Sequence, residues 1–193
     1  MNVLLMLLMG CNDDVSDPDG HDHDHDHGVI AAVQLTFAPT SGGDAVTYEI
    51  HDGVSDEVQL MAGESYDLSV AILEDDADGL LDLTGEISND AESHQVFFLG
   101  EDIASEATQS QNALVSVDYN DSDSNGMPLG IDSVATGLQA GSGSMQVVLR
   151  HMPPENGNPI KTAESAADVA SGGLSAIGGD NDFDVSFDLT VIE

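Results

Sequence analysis

After Gly28, apolar residues recur at every second position over several short stretches, the period expected of strands with one face turned to a core. Val33, Leu35 and Phe37 share one face before Pro39 and the Ser41-Gly42-Gly43 turn, and Val46, Tyr48 and Ile50 resume the alternation up to Asp52-Gly53. These two runs predict a hairpin. Val58 and Leu60 predict a short third strand ending at Gly63, and Tyr66, Leu68, Val70 and Ile72 a longer fourth. The pattern returns over residues 114–119, 145–151 and 183–191. Strands at this spacing, without helices between them, predict an all-β fold, an antiparallel β-sandwich of about 7–9 strands, immunoglobulin-like or related, with one polar face per sheet. A βαβ arrangement lacks the helical intervals it needs.

Two segments depart from the alternation. Residues 84–94 place Glu86, Asp90 and His94 at i, i+4 and i+8, with Ile87 and Ala91 on another face, which predicts one short inserted helix. Residues 156–182 are rich in Gly, Ala and Ser and predict a long loop, with a weak helical turn around 163–169.

The first 28 residues belong to a different regime, which divides the chain into 1–10, 11–28 and a single β-sandwich domain over 29–193. Residues 1–10 are an apolar run too short to span a bilayer but long enough for the core of a signal peptide. Leu8-Met9-Gly10-Cys11 then matches a bacterial lipobox, in which the cysteine is acylated, although Met9 is bulkier than usual and no basic residues precede the apolar run. Lipidation at Cys11 implies an extracytoplasmic protein held to a bacterial membrane, the outer membrane favoured, without a transmembrane helix. Behind Cys11 comes a polar tether ending in His21, His23, His25 and His27, alternating with Asp22, Asp24 and Asp26. Such a stretch has almost no apolar surface to offset the entropy of ordering it, so its chemistry lies in its ligands. Imidazoles at this density suit a divalent transition metal such as Zn²⁺, Cu²⁺ or Ni²⁺; a solvated acidic spacer is the plainer alternative.

Charge narrows the classes further. Thirty-seven acidic residues against two basic ones, Arg150 and Lys161, give a formal net charge of −35, which excludes nucleic acid as a partner. The same acidity suits a saline habitat, with self-repulsion relieved by salt or divalent cations. Aromatic residues are 4% of the chain and Trp is absent, so the core must be built from Val, Leu, Ile and Ala with five Phe and three Tyr. A single cysteine rules out a disulfide within the chain.

Two constellations in the β region carry candidate chemistry. His94 shares parity with Val96 and Phe98, and His151 with Met145, Val147 and Leu149, so each continues an inward row at a strand end and the two can meet at one rim. Glu86 and Asp90 would add oxygen ligands or hydrogen-bond acceptors there. The commoner role of such histidines is a plain hydrogen bond to a carboxylate. His51 has the parity of the surface. Asp121, Asp123, Asn125, Gly126 and Asp132 reproduce a calcium-loop spacing, oxygen ligands at positions 1, 3, 5 and 12 with Gly at 6, though an acidic turn closed by Asn125-Gly126 fits equally well. Glu74, Asp76, Asp78 and Gly79 are a weaker version. No nucleophile elbow, phosphate loop or group of anion-stabilising cations supports an enzyme.

Several stretches also carry a resemblance. The lipobox, the His/Asp tract, Ala-Val-Gln-Leu-Thr-Phe at 32–37, Glu-Ser-His-Gln-Val-Phe-Phe at 92–98, the turn at 121–130 and Val-Val-Leu-Arg-His-Met-Pro at 147–153 together resemble a group of uncharacterised bacterial lipoproteins. Some of these carry the label "type 1 periplasmic binding fold superfamily". The resemblance implies a location and a class, and no activity. The expectation is a membrane-anchored lipoprotein that binds metal for capture or for hand-off to a transporter or receptor. The alternative is a non-catalytic envelope scaffold or adhesion domain with structural calcium.

Overall fold

The structure, a computed structural model, describes residues 30–77 and 79–193; the signal segment, Cys11, the His/Asp tract and Asp78 lie outside them. The strands are β1 (Ile30–Pro39), β2 (Val46–His51), β3 (Val54–Ser55), β4 (Val58–Met61), β5 (Ser65–Asp76) and β6 (Gly79–Asp82). Helix α1 (Thr84–Asn89) interrupts them before β7 (His94–Leu99), β8 (Ile103–Ser105), β9 (Thr108–Gln109), β10 (Val115–Tyr119), β11 (Asp132–Gly137) and β12 (Gly141–His151). Helix α2 (Ser165–Gly172) precedes the last strand, β13 (Asp180–Ile192).

Two sheets result. The larger runs β3-β2-β1-β5-β11-β10-β8-β9, and the smaller β4-β13-β12-β7. On the far edge of the long β5, residues 65–69 pair with β11 and residues 73–76 with β6. Most pairs are antiparallel, as the alternation predicts, but β8 with β10 and β4 with β13 are parallel. The sandwich exceeds the expected strand number because it includes two-residue strands such as β3 and β9, too short to leave a periodic trace.

The inward rows meet as the alternation requires. Val33, Leu35 and Phe37 of β1 and Leu68, Val70 and Ile72 of β5 share one buried cluster with Val147 and Leu149 of β12 and Phe187 and Leu189 of β13. Tyr48 and Tyr66 both meet Phe37 edge-on, with ring centroids 5.9 and 6.0 Å away. The Asp52-Gly53 turn joins β2 to β3 with both residues at positive φ, 51° and 74°, the pair that a two-residue hairpin with right-handed twist demands.

Two expectations are corrected. The helix predicted through His94 ends at Asn89; Asp90 leaves helical geometry at φ −108°, ψ 37°, and a single 3₁₀ turn over Ala91–Ser93 leads into β7. Glu86, Asp90 and His94 therefore do not line one helical face. Nor is the outer face of the smaller sheet polar throughout. Phe97 and Met152 point outward and are covered by Ala166 and Val169 of α2, so β7 is buried along nearly its whole length. The Gly/Ala/Ser segment, expected as a long loop with a weak helical turn around 163–169, supplies this cover through α2, because Ala166 and Val169, three apart, give the helix a narrow apolar stripe.

Candidate metal centre

The centre lies where β7 begins and β12 ends. His94 and His151 are direct cross-strand partners, and their rings stack with centroids 4.7 Å apart and planes 8° from parallel. Their shared inward parity allowed them to meet, and the antiparallel pairing of β7 and β12 brings them together. Asp90, lifted out of α1 by the 3₁₀ turn, comes up beside His94. One ligand atom from each of Asp90, His94 and His151 lies within 4.8 Å of the other two.

Each nitrogen of His94 faces an oxygen. Nδ1 is 2.9 Å from the Asp90 carbonyl and 3.5 Å from the Asp90 carboxylate, and Nε2 is 3.6 Å from the carboxylate of Asp182. An Nδ1–H donated to the Asp90 carbonyl fixes the tautomer whose Nε2 lone pair can take a metal, a common outer arrangement around metal-binding histidines. His94 is fully buried. Burial lowers its pKa, the neighbouring His151 adds to the effect, and the Asp90 carbonyl, Asp182 and Asp90 carboxylates oppose it. The imidazole is thus neutral at neutral pH, the form that ligates a cation. Two imidazoles with carboxylate oxygens suit zinc, copper or nickel better than calcium, which prefers an all-oxygen shell.

Asp182 was not legible in the sequence. By parity it belongs with Asp184, Ser186 and Asp188 on the outer face of β13. Leu149 pairs with Phe183 but Arg150 pairs with Asn181, so Asp182 is the extra residue of a β-bulge and faces His94 instead. Glu86 stays exposed on α1, outside the group.

A scan against family models and searches among curated proteins and solved structures found no match to this chain. Its function must therefore be argued from its own side chains.

The calcium-like turn is closed by groups of the protein. The Asp121 carboxylate accepts the N–H groups of Gly130, Ile131 and Asp132 at 2.6, 2.9 and 2.9 Å. Asp123 accepts those of Asn125 and Met127, both at 2.9 Å, and its other oxygen is 2.9 Å from the Lys161 ammonium. Burial alone would raise the Asp123 carboxyl, but the Met127 N–H and the Lys161 ammonium together hold it below the usual carboxylate range. Lys161, fully buried, also donates to the Ala91 carbonyl at 2.8 Å. An internal ammonium thus stands against one of the oxygens the spacing offered to calcium, while Asn125 and Asp132 are exposed. Among the described residues, the turn is not one of the two places where three metal-ligating side chains converge. The other is at His51, which is half-buried at the end of β2.

Proposed function

We propose that this protein is a lipid-anchored, extracytoplasmic β-sandwich that binds a divalent transition metal, of the zinc, copper or nickel class, for capture or hand-off to a membrane transporter. The observation that carries this reading is the Asp90–His94–His151 group, with the Asp182 carboxylate facing Nε2 of His94, the nitrogen left to take the metal. His94 and His151 stand at the ends of paired strands and Asp90 just before β7, so the fold sets their spacing before any ion arrives, and little ligand entropy remains to be lost. The four histidines of residues 21–27 add ligands, and a net charge of −35 draws divalent cations toward the whole surface.

Zinc titrated by calorimetry into full-length protein purified without a metal column tests the reading. His94→Asn with His151→Asn should remove one zinc equivalent and most of the zinc-induced rise in melting temperature, since binding to the folded state alone stabilises it. Unchanged stoichiometry together with an unchanged rise would overturn it. Stabilisation by calcium, with no response to zinc, would support the scaffold alternative.

A further inference from the structure

We propose that His51, Asp52 and Asp75 form a second divalent-metal site, three-liganded and open to solvent, separate from the histidine pair of β7 and β12. One ligand atom from each lies within 4.8 Å of the other two. The spacing favours an ion over a simple ion pair. His51 Nε2 is 3.9 Å from Asp52 Oδ2 and 3.9 Å from Asp75 Oδ1, too far for a hydrogen bond, which closes at about 2.7–3.2 Å. Two ligands of a tetrahedral zinc, with bonds of about 2.0–2.2 Å, stand roughly 3.3–3.6 Å apart. Closing each His51–carboxylate distance by a few tenths of an ångström, with the two exposed carboxylates turning together from within 4.8 Å, would bring all three onto one ion.

The fold has a specific way of gathering them. His51 and Asp52 are neighbours in sequence, and in a continuing strand they would point to opposite faces. The hairpin turn intervenes: Asp52 adopts φ 51°, and its carboxylate swings back beside the imidazole of the preceding residue. Asp75 arrives from β5, two strands away, because β1 pairs with both β2 and β5 and carries Ala32 opposite His51 and Ile30 opposite Glu74. The three ligands thus straddle the first residues of β1.

Next to them a cavity of about 750 Å³ opens between the two sheets, lined by Val33, Ile50, Phe183 and Val185 among others. It leaves room for a fourth ligand, whether water or a donor from outside, as an acquisition site requires. In sequence, His27 lies three residues before Ile30, one of the residues that line this cavity.

This site does not depend on the Asp90–His94–His151 reading, and stoichiometry separates the two. The background is full-length protein with His21→Asn, His23→Asn, His25→Asn and His27→Asn, titrated with zinc. It should bind two equivalents. His51→Asn with Asp75→Asn should leave one, and His94→Asn with His151→Asn should also leave one. Stoichiometry unchanged by His51→Asn and Asp75→Asn overturns the site. An equivalent lost in that variant but insensitive to His94→Asn and His151→Asn supports this site and sinks the other. If the double variant fails to fold by circular dichroism, Asp52→Asn replaces it, since asparagine tolerates the positive φ. That variant should weaken one equivalent about tenfold, and unaltered affinity would overturn the proposal.

Discussion

Lys161 shows how much a single residue can decide. Its ammonium, almost wholly removed from water, ties the 121–130 turn through Asp123 to the 3₁₀ turn through Ala91, and that turn carries Asp90 up to His94. Burial lowers the Lys161 pKa and Asp123 opposes the shift, so each charge depends on the other being present. Lys161→Met should leave a buried carboxylate without its counter-charge and cost on the order of 3–5 kcal/mol in urea unfolding. Adding Asp123→Asn, which keeps an oxygen for the Asn125 and Met127 N–H groups, should recover part of the loss. A loss below about 1 kcal/mol in the single variant would mean that water reaches the pair.

At the scale of elements, α2 buries the β7 end of the smaller sheet's outer face. Val169 and Ala166 pack on Phe97 and Met152, and Arg150 pins the following segment by donating to the Gly178 carbonyl at 3.0 Å and to Asn181 Oδ1 at 2.7 Å. The helix has only eight residues and no side-chain cap, so docking holds it, since isolated helices of this length are marginal. Val169→Asp should therefore abolish hydrogen-exchange protection of the α2 amides and leave β12 and β13 protected. Retained protection in α2 would show that the helix stands without its contact. A comparable dependence on close packing appears at Gly130, at φ 88°, where an added Cβ would fall 2.7 Å from the Val96 carbonyl and 2.8 Å from the Tyr119 ring.

For the whole molecule, both basic side chains serve the fold: Lys161 is buried and Arg150 clamps a loop. Little positive charge is left to offset the surface carboxylates, which fits a protein that attracts cations and repels polyanions. Among the described residues no helix is long and apolar enough to cross a membrane. Membrane attachment, on our proposal, rests on Cys11. Cys11→Ala should move the protein from the membrane fraction to the soluble extracytoplasmic fraction, and persistent membrane association in that variant would remove the lipid anchor from the proposal.

Period-two alternation determined the principal strands, their inward rows and the sandwich class, because side-chain direction in a strand follows parity and parity is written in the sequence. The meeting of His94 and His151 was legible for the same reason: two inward histidines at strand ends needed only an antiparallel pairing to face each other. Tertiary structure decided what parity cannot express. A bulge turned Asp182 toward His94, a left-handed residue turned Asp52 toward His51, and strand order brought Asp75 across β1 to both. Helix α1 ended before Asp90, leaving Glu86 exposed outside the group, and a lysine about 40 residues away paired with Asp123 in the turn with calcium-loop spacing. Each of these depends on chain segments distant in sequence or on one residue leaving regular geometry, and neither produces a repeating pattern of apolar and polar positions.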